Sequence, residues 1–307
     1  HNPISDDLDG PRLSALTDTV LTLALSAFFH NMTSHGQRAA SLLNTFFLDP
    51  ATQMYPSGAF AQGIPGRCFG RGIGLIDFAS SIPTILDTVA LLSYQNSWTQ
   101  QDNDALKQWM KQWLSYLTDT QNGRDEAAAK NNHGTNYDKH AATVALYLGN
   151  LSVAKSICDN AGNKRVAVQV GPNGTLPLED SRTKSEEYHL YDTEAFLSLA
   201  TLCQAVQTPT ESLFTFTPGP GKAGLAEVID WLHPFAEIPP SQQWPFQQIR
   251  PVPSPHLSFG LVYRLAANAP AWVSQSQQRE QLAFEHLQKD NSSWKTQLIF
   301  PATATSD

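Results

Sequence analysis

Cysteine is scarce. The 307 residues contain three, Cys68, Cys158 and Cys203, and no Cys-x-x-Cys spacing. That leaves no zinc signature and no disulfide framework to read. One disulfide with a free thiol and three buried thiols both remain open. Basic charge is also short: 20 Lys and Arg against 28 Asp and Glu give a net charge of −8. A duplex nucleic-acid binder needs a basic face to displace counterions, so nucleic acid is not an expected partner. A polyanionic substrate is still allowed, because a few local arginines can make a positive cleft in an acidic protein. No apolar run approaches the roughly 18 residues of a membrane-spanning helix, so no membrane partner is expected either. The chain opens at His1 on polar, Pro- and Asp-rich sequence without a signal peptide. No exact internal repeat and no linker divide it, so residues 1–307 are expected to form one domain, and a monomer.

What is present is an ordinary globular composition, 41% hydrophobic and 16% charged. Four Asn-x-Ser/Thr sequons begin at Asn31, Asn150, Asn173 and Asn291, all at predicted helix ends or loops. One or two would be chance; four favour a secreted eukaryotic glycoprotein. In that case His1 follows a removed leader.

The apolar spacing is helical almost throughout. Leu13, Leu16, Val20, Ala24 and Phe28 form one stripe, and residues 37–48 a second helix stopped at Asp49-Pro50. A third helix is predicted to begin at Pro83 and to place Ile82, Ile85, Leu86, Val89 and Leu92 on one side. Leu106, Trp109, Met110, Trp113, Leu114 and Leu117 make the clearest stripe. Tyr137, Ala141, Val144 and Leu148 follow, ended by Gly149-Asn150. Later stripes are Phe196, Leu199, Cys203 and Val206, then Leu225, Val228, Ile229 and Leu232, then Leu257, Leu261 and Leu265. No stretch alternates with period two for long enough to be a strand. The spacing therefore predicts an all-α chain of consecutive helical hairpins. Such a chain closes its apolar faces as a solenoid or an α/α toroid, and the lack of a crisp repeat favours the toroid.

Polar residues gather in irregular segments between these helices. Residues 55–78 hold Gln62, Arg67, Arg71 and a run of glycines. Gly70-x-Gly72-x-Gly74 has the outline of a phosphate loop but lacks the Rossmann spacing and a preceding strand. Residues 129–138 place Asn131, Asn132 and His133 at the mouth of a buried helix expected from Tyr137. Residues 178–192 carry Arg182, Glu186, Glu187 and Tyr188, and the Pro-rich stretch 239–255 carries Trp244. Taken singly, each residue also has a structural explanation: a helix cap for Asn132, a surface ion pair for Arg182, a core position for Tyr188 or Trp244.

Taken together, these segments resemble the alginate lyase superfamily of α/α-toroid polysaccharide lyases, which includes poly(mannuronate) and glucuronan lyases. "NNHGTNYD" is similar to that family's NNHGTWYD, "QGIPGRCFGRGIGLIDF" to its AQ-x-IPG…GRGIGIID, and "NGRDEAAAKNNHG" to its NGK-x-E…AKNNHG. "SRTKSEEY" is similar to its RTKS-x-x-Y and "WPFQQI" to its WPYQQI, so ordered matches run from about residue 35 to about residue 250. Two departures stand out: Asn136 replaces the family aromatic, and Glu186-Glu187 precedes the tyrosine. Family members also carry more sequence upstream, so a chain truncated or processed at His1 is expected.

The resemblance implies an incomplete (α/α) toroid and a β-elimination. A uronate lyase removes the C5 proton, alpha to a carboxylate, and expels the 4-linked sugar. The carboxylate must first be neutralised or hydrogen-bonded so that the enolate-like dianion is stabilised. Asn132 and Arg182 match the family's neutralising residues, His133 its catalytic histidine, and Tyr188 its tyrosine base and acid. Arg182 would favour the phenolate by proximity of charge. Gln62, Arg71, Tyr137, Trp244 and Gln247 are the expected sugar contacts, with Trp244 as a stacking platform. No metal or other cofactor is expected. The substrate implied is a β-1,4-linked polyuronate, mannuronan/alginate or glucuronan. Two alternatives stay open: an α/α-toroid glycoside hydrolase using a carboxylate such as Asp125 or Glu187, and a non-catalytic polyuronate-binding relative. New reducing ends without unsaturation would mark the first, and binding without turnover the second.

Overall fold

The computed structural model describes residues 8–64, 68–71, 75–208, 212–269 and 272–289. It divides into two compact units, one of His1–Ala129 with His140–Ala154, the other of Lys130–Lys139 with Lys155–Asp307.

The first unit begins with helices α1 (Asp9–His30) and α2 (Thr33–Phe47). Leu13, Val20, Leu21, Ala24 and Leu25 bury the inner face of α1. The helix ends where Asn31 turns left-handed, at φ 55 and ψ 34, a conformation that Asn tolerates better than most residues. The strandless reading needs one correction. β1 (Gln62–Ile64) and β2 (Cys68–Arg71) pair antiparallel, with Gln62 opposite Arg71 and Ile64 opposite Cys68. Strands of three and four residues are too short to display a period, which is why the pattern hid them.

Helix α3 (Leu75–Tyr94) corrects a second expectation, because Pro83 lies inside it and not at its start. Proline removes one hydrogen bond of the helix ladder. Leu75, Ile76, Phe78 and Ala79 extend the buried face through that point and offset the loss. Both α1 and α3 are long and apolar enough to cross a membrane by length and composition, contrary to the reading of the sequence. Of the most apolar 18-residue windows, 39% of α1 and 56% of α3 is buried within the protein.

Helix α4 (Gln100–Asp119) opens with a capping box in which Thr99 and Asp102 satisfy each other's amides. All six residues of its predicted stripe are buried. Trp109 and Trp113 stack at 5.6 Å, and Trp109 donates its indole N–H to the Met54 carbonyl at 2.9 Å. After α5 (Gln121–Ala128) comes α6 (Asn132–Tyr147), whose later residues belong to this unit. There Trp113 donates to His140 Nε2 at 2.9 Å, so that imidazole carries its proton on Nδ1 when neutral.

The second unit takes the first eight residues of α6 and resumes at Lys155 within α7 (Leu151–Ala161), which passes by a π turn (Gly162–Val166) into α8 (Ala167–Gln169). Gly162 is required there, since a Cβ would stand 2.5 Å from the Phe216 ring. A short α9 (Pro177–Asp180) leads to α10 (Ser185–Cys203), followed by α11 (Leu225–Ala236), α12 (Pro255–Ala267) and α13 (Val273–Lys289). Helix α10 is buried over most of its surface by Leu190, Ala195, Phe196, Leu197, Leu199 and Ala200, and leaves one stripe through Tyr191, Glu194, Ser198 and Thr201 partly exposed. Cys158 and Cys203 form a disulfide that ties α7 to α10, their Cα atoms 5.4 Å apart. That decides between the two readings of the cysteines.

The stripe on α12 differs from expectation. Leu257, Leu261 and Leu265 are only half-buried, while Phe259, Val262, Tyr263 and Ala266 face the core. Two apolar stripes at helical spacing coexist on this helix, and packing against α10 and α13 selects the one with the larger rings.

Candidate active site

Helix α6 begins at Asn132, five residues before the sequence reading placed it, so Asn132 and His133 form its first turn. The first backbone N–H groups of a helix lack partners inside it. Here a carboxylate supplies one. Glu179, at the end of α9 and 1% exposed, accepts at one oxygen from the Asn132 backbone N–H (2.8 Å) and from its Nδ2 (2.7 Å). A negative charge is favoured at this end of a helix dipole. The second Glu179 oxygen lies 3.7 Å from Arg182 Nη1. Arg182 in turn lays its guanidinium over the Tyr188 ring, 3.9 Å from the centroid, a cation–π contact. Asn132 and Arg182 thus meet at one buried acid, and Tyr188 joins them through Arg182. His133, next to Asn132, is half-buried.

The rest of this helix turn is polar and buried. Asn136 is fully buried and donates its Nδ2 to the Asn132 carbonyl at 3.0 Å. The residue that departs from the family aromatic therefore braces the helix from inside. Thr135 exchanges hydrogen bonds with Gln169. Asp138 receives a two-pronged ion pair from Arg165, at 2.7 and 3.0 Å, with both side chains almost wholly buried. Such a pair fixes geometry more than it adds stability, because desolvation offsets most of its attraction. Asp192, on α10, is fully buried. Burial, reinforced by the Glu179 charge, pushes its carboxyl well above the ordinary range, against the opposing pull of a Thr135 hydrogen bond and Arg165. Tyr137 is buried, with Lys164 Nζ 6.0 Å from its ring centroid.

Two motifs far apart in sequence are stitched together. The 247–249 backbone pairs with the segment leading into α10: the Ser185 N–H and hydroxyl both donate to the Gln247 carbonyl (3.2 and 2.7 Å), and the Ile249 N–H donates to Thr183 (2.9 Å). The Glu186 N–H donates to the Gln248 side chain at 3.1 Å. Gln247 contributes its carbonyl here and its side chain is exposed. Trp244 donates its indole N–H to Ser185 Oγ at 2.7 Å. Its ring is half-buried among His189, Trp231, Phe235 and Phe246, at centroid distances of 5.5, 5.2, 5.1 and 5.9 Å. Beneath it Asp180 holds His189 Nδ1 at 2.7 Å. The two acids before Tyr188 have separate fates. Glu187 is matched by Lys184 at 2.9 Å and Arg250 at 3.6 Å, and burial raises the Glu186 carboxyl.

Gln62 and Arg71 belong to the first unit. Gln62 donates its side-chain amide to Asp77 at 3.3 Å. The Arg71 side chain and residue Arg67 lie outside the described residues. Among the described residues no group of three or more His, Cys, Asp or Glu could hold a metal. The sequence reading missed Glu179, Asp138, Arg165 and Asp192. Glu179 stands one turn before Arg182 and Asp192 one turn after Tyr188, and that i+3 and i+4 spacing was the available signal.

Against known proteins, the alginate lyase family model matches residues 1–243. A crystal structure of an alginate lyase from Bacteroides ovatus superposes with a TM-score of 0.87 at 26% identity, over 99% of this chain and 77% of that one. No curated protein matches. The likeness puts the fold in the all-α toroid class implied by the motifs. With the family matched over most of its length and with its motifs converging on one buried acid, the chain belongs to the alginate lyase family and is a polysaccharide lyase.

Proposed function

We propose that the enzyme cleaves a β-1,4-linked polyuronate, mannuronan/alginate or glucuronan, by β-elimination, with Asn132, His133 and Arg182 neutralising the C5 carboxylate and Tyr188 as base and acid. The observation that carries this reading is a chain of contacts: Glu179 holds the Asn132 amide and faces Arg182, and the Arg182 guanidinium lies on the Tyr188 ring. An amide and a guanidinium side by side form the donor set that a carboxylate turning into an enolate-like dianion requires. The Asn132 amide, fully buried, commits one of its two hydrogens to Glu179. His133, at the N-terminal turn of α6, adds a donor where the helix dipole favours negative charge.

In mannuronate and glucuronate the C5 hydrogen and the O4 leaving group share one face of the ring. A single phenol within about 3 Å of both can take the proton and return it to the leaving oxygen. The tie between residues 183–186 and 247–249 supports Trp244 and Gln247 as walls of the sugar cleft. Tyr137, on the same helix as Asn132, completes the contacts proposed within this unit. The family match over residues 1–243 and the structural likeness over 99% of the chain both run through the two units, which supports one catalytic domain over residues 1–307. The carboxylates of a hydrolase reading are occupied otherwise: Asp125 accepts from Gln121 at 2.6 Å, and Glu187 is ion-paired. The sequons at Asn31, Asn150 and Asn173 are all exposed, which supports a secreted glycoprotein; Asn291 lies outside the described residues.

The test is digestion of mannuronan, guluronan, glucuronan and hyaluronan followed by ultraviolet absorbance of unsaturated uronic ends. Absorbance on mannuronan or glucuronan is expected. New reducing ends without absorbance would overturn the elimination, and binding without either would make the chain a non-catalytic relative.

A further inference from the structure

Where α1 turns into α2, the first unit leaves an apolar patch beside a sequon. Phe28, Phe29, Met32 and Tyr94 are 42%, 48%, 42% and 78% exposed. The Phe28 ring stands 5.1 Å from Phe29 and 5.9 Å from Tyr94, so it links three partly exposed rings. Single exposed apolar residues need no explanation, but contiguous patches mark surfaces that something covers. Asn31 lies between Phe29 and Met32 in the chain. It ends α1 in the left-handed conformation, and residues 31–34, including the Thr33 hydroxyl that completes the sequon, are exposed. Phe28 and Phe29 precede Asn31 by three and two residues, within one helical turn of the sequon.

The other described sequons are placed differently. Asn150 uses its side-chain oxygen to cap α7, accepting from Ser152 Oγ at 2.9 Å and the Val153 N–H at 3.3 Å. Asn173 is followed by Gly174, which is packed against the Glu227 backbone. Of the three, Asn31 alone adjoins a cluster of exposed rings.

We propose that Asn31 carries an N-linked glycan whose first sugar lies over Phe28, Phe29 and Tyr94 and shields that patch from water. The inference rests on the secretory reading above. The sugar comes from a lipid-diphosphate-linked oligosaccharide. Asn31 Nδ2 bonds to the anomeric carbon as the bond from that carbon to the diphosphate oxygen breaks, the amide proton passes to a base, and the lipid diphosphate leaves. A β-linked N-acetylhexosamine has one face of C–H groups, which suits an aromatic surface, and a rim of hydroxyls that stays in water. Because the glycan is tethered one helical turn from Phe28, covering the rings costs little further ordering.

The experiment is secretion of the full chain from a eukaryotic host, with glycopeptide mapping of each sequon. Modification of Asn31 is expected. Thr33→Ala, which removes the sequon and keeps Asn31, should raise the fluorescence of an apolar-surface dye roughly twofold or more and lower Tm by about 2–4 °C. In a Phe28→Ser/Phe29→Ser/Tyr94→Ser background, Thr33→Ala should change neither readout. Asn31 left bare while Asn150 or Asn173 is modified overturns the proposal and leaves the secretory reading standing. No modification at any sequon overturns both. A modified Asn31 whose loss changes neither dye binding nor Tm, or a glycosylated protein that binds phosphatidylcholine vesicles through these rings, also overturns it.

Discussion

One oxygen of Glu179 accepts two hydrogen bonds from Asn132, the backbone amide at 2.8 Å and the side-chain amide at 2.7 Å. A carboxylate drawn from α9 thereby starts α6 and holds the amide proposed to neutralise the substrate carboxylate. Glu179→Ala should strand both donors in a buried site, lowering stability by about 1–3 kcal/mol, and should cut turnover more than roughly tenfold as the amide loses its aim. Glu179→Gln keeps an acceptor oxygen and should fall between wild type and Ala in Tm. Thermal melts and rates of unsaturated-product formation check the order; equal losses in both variants would refute the positioning role.

Tyr188→Phe keeps the ring beneath the Arg182 guanidinium and removes only the hydroxyl. Ultraviolet-detected turnover should drop by about 10²–10⁴, the usual weight of a proton-transferring side chain. Far-UV circular dichroism and Tm should stay close to wild type. Retained activity would sink the assignment of the base.

Asp192 links stability to pH. Its folded carboxyl titrates well above the unfolded value of 3.8, because burial and the Glu179 charge oppose ionisation. The folded protein therefore holds a proton that the unfolded chain releases. The stabilisation from that proton is complete below the unfolded value and is lost as pH rises from there toward the folded one. Asp192→Asn removes the titration, so its stability relative to wild type should climb between pH 4 and pH 8. Urea unfolding at several pH values measures this, and a flat difference would show that Asp192 is ionised in the fold.

The Cys158–Cys203 disulfide closes a span of 45 residues. Cys158→Ala should lower stability by about 2–5 kcal/mol. Thiol labelling of unfolded wild type before reduction should find only Cys68, and labelling after reduction all three cysteines.

The helical class was legible because apolar residues recur every three or four positions, and α4 buries every residue its stripe names. The site residues were legible as types: amides, histidine, arginine and tyrosine in motifs fifty residues apart. Other features had no local signature. Nothing near Asn132 points to an acceptor 47 residues away, and the rings around Trp244 come from α10, α11 and the 244–249 segment. α12 carries two apolar stripes, and only its neighbours choose between them. Asn136 read only as a departure from the family aromatic, and it is wholly buried on the Asn132 carbonyl. The sequence by itself determined which segments are helices and which polar residues interrupt them, since both follow from short-range spacing. Tertiary structure alone decided which acid anchors the clamp, which cysteines pair and which polar groups are buried, because those outcomes depend on partners that only helix packing brings within hydrogen-bonding distance.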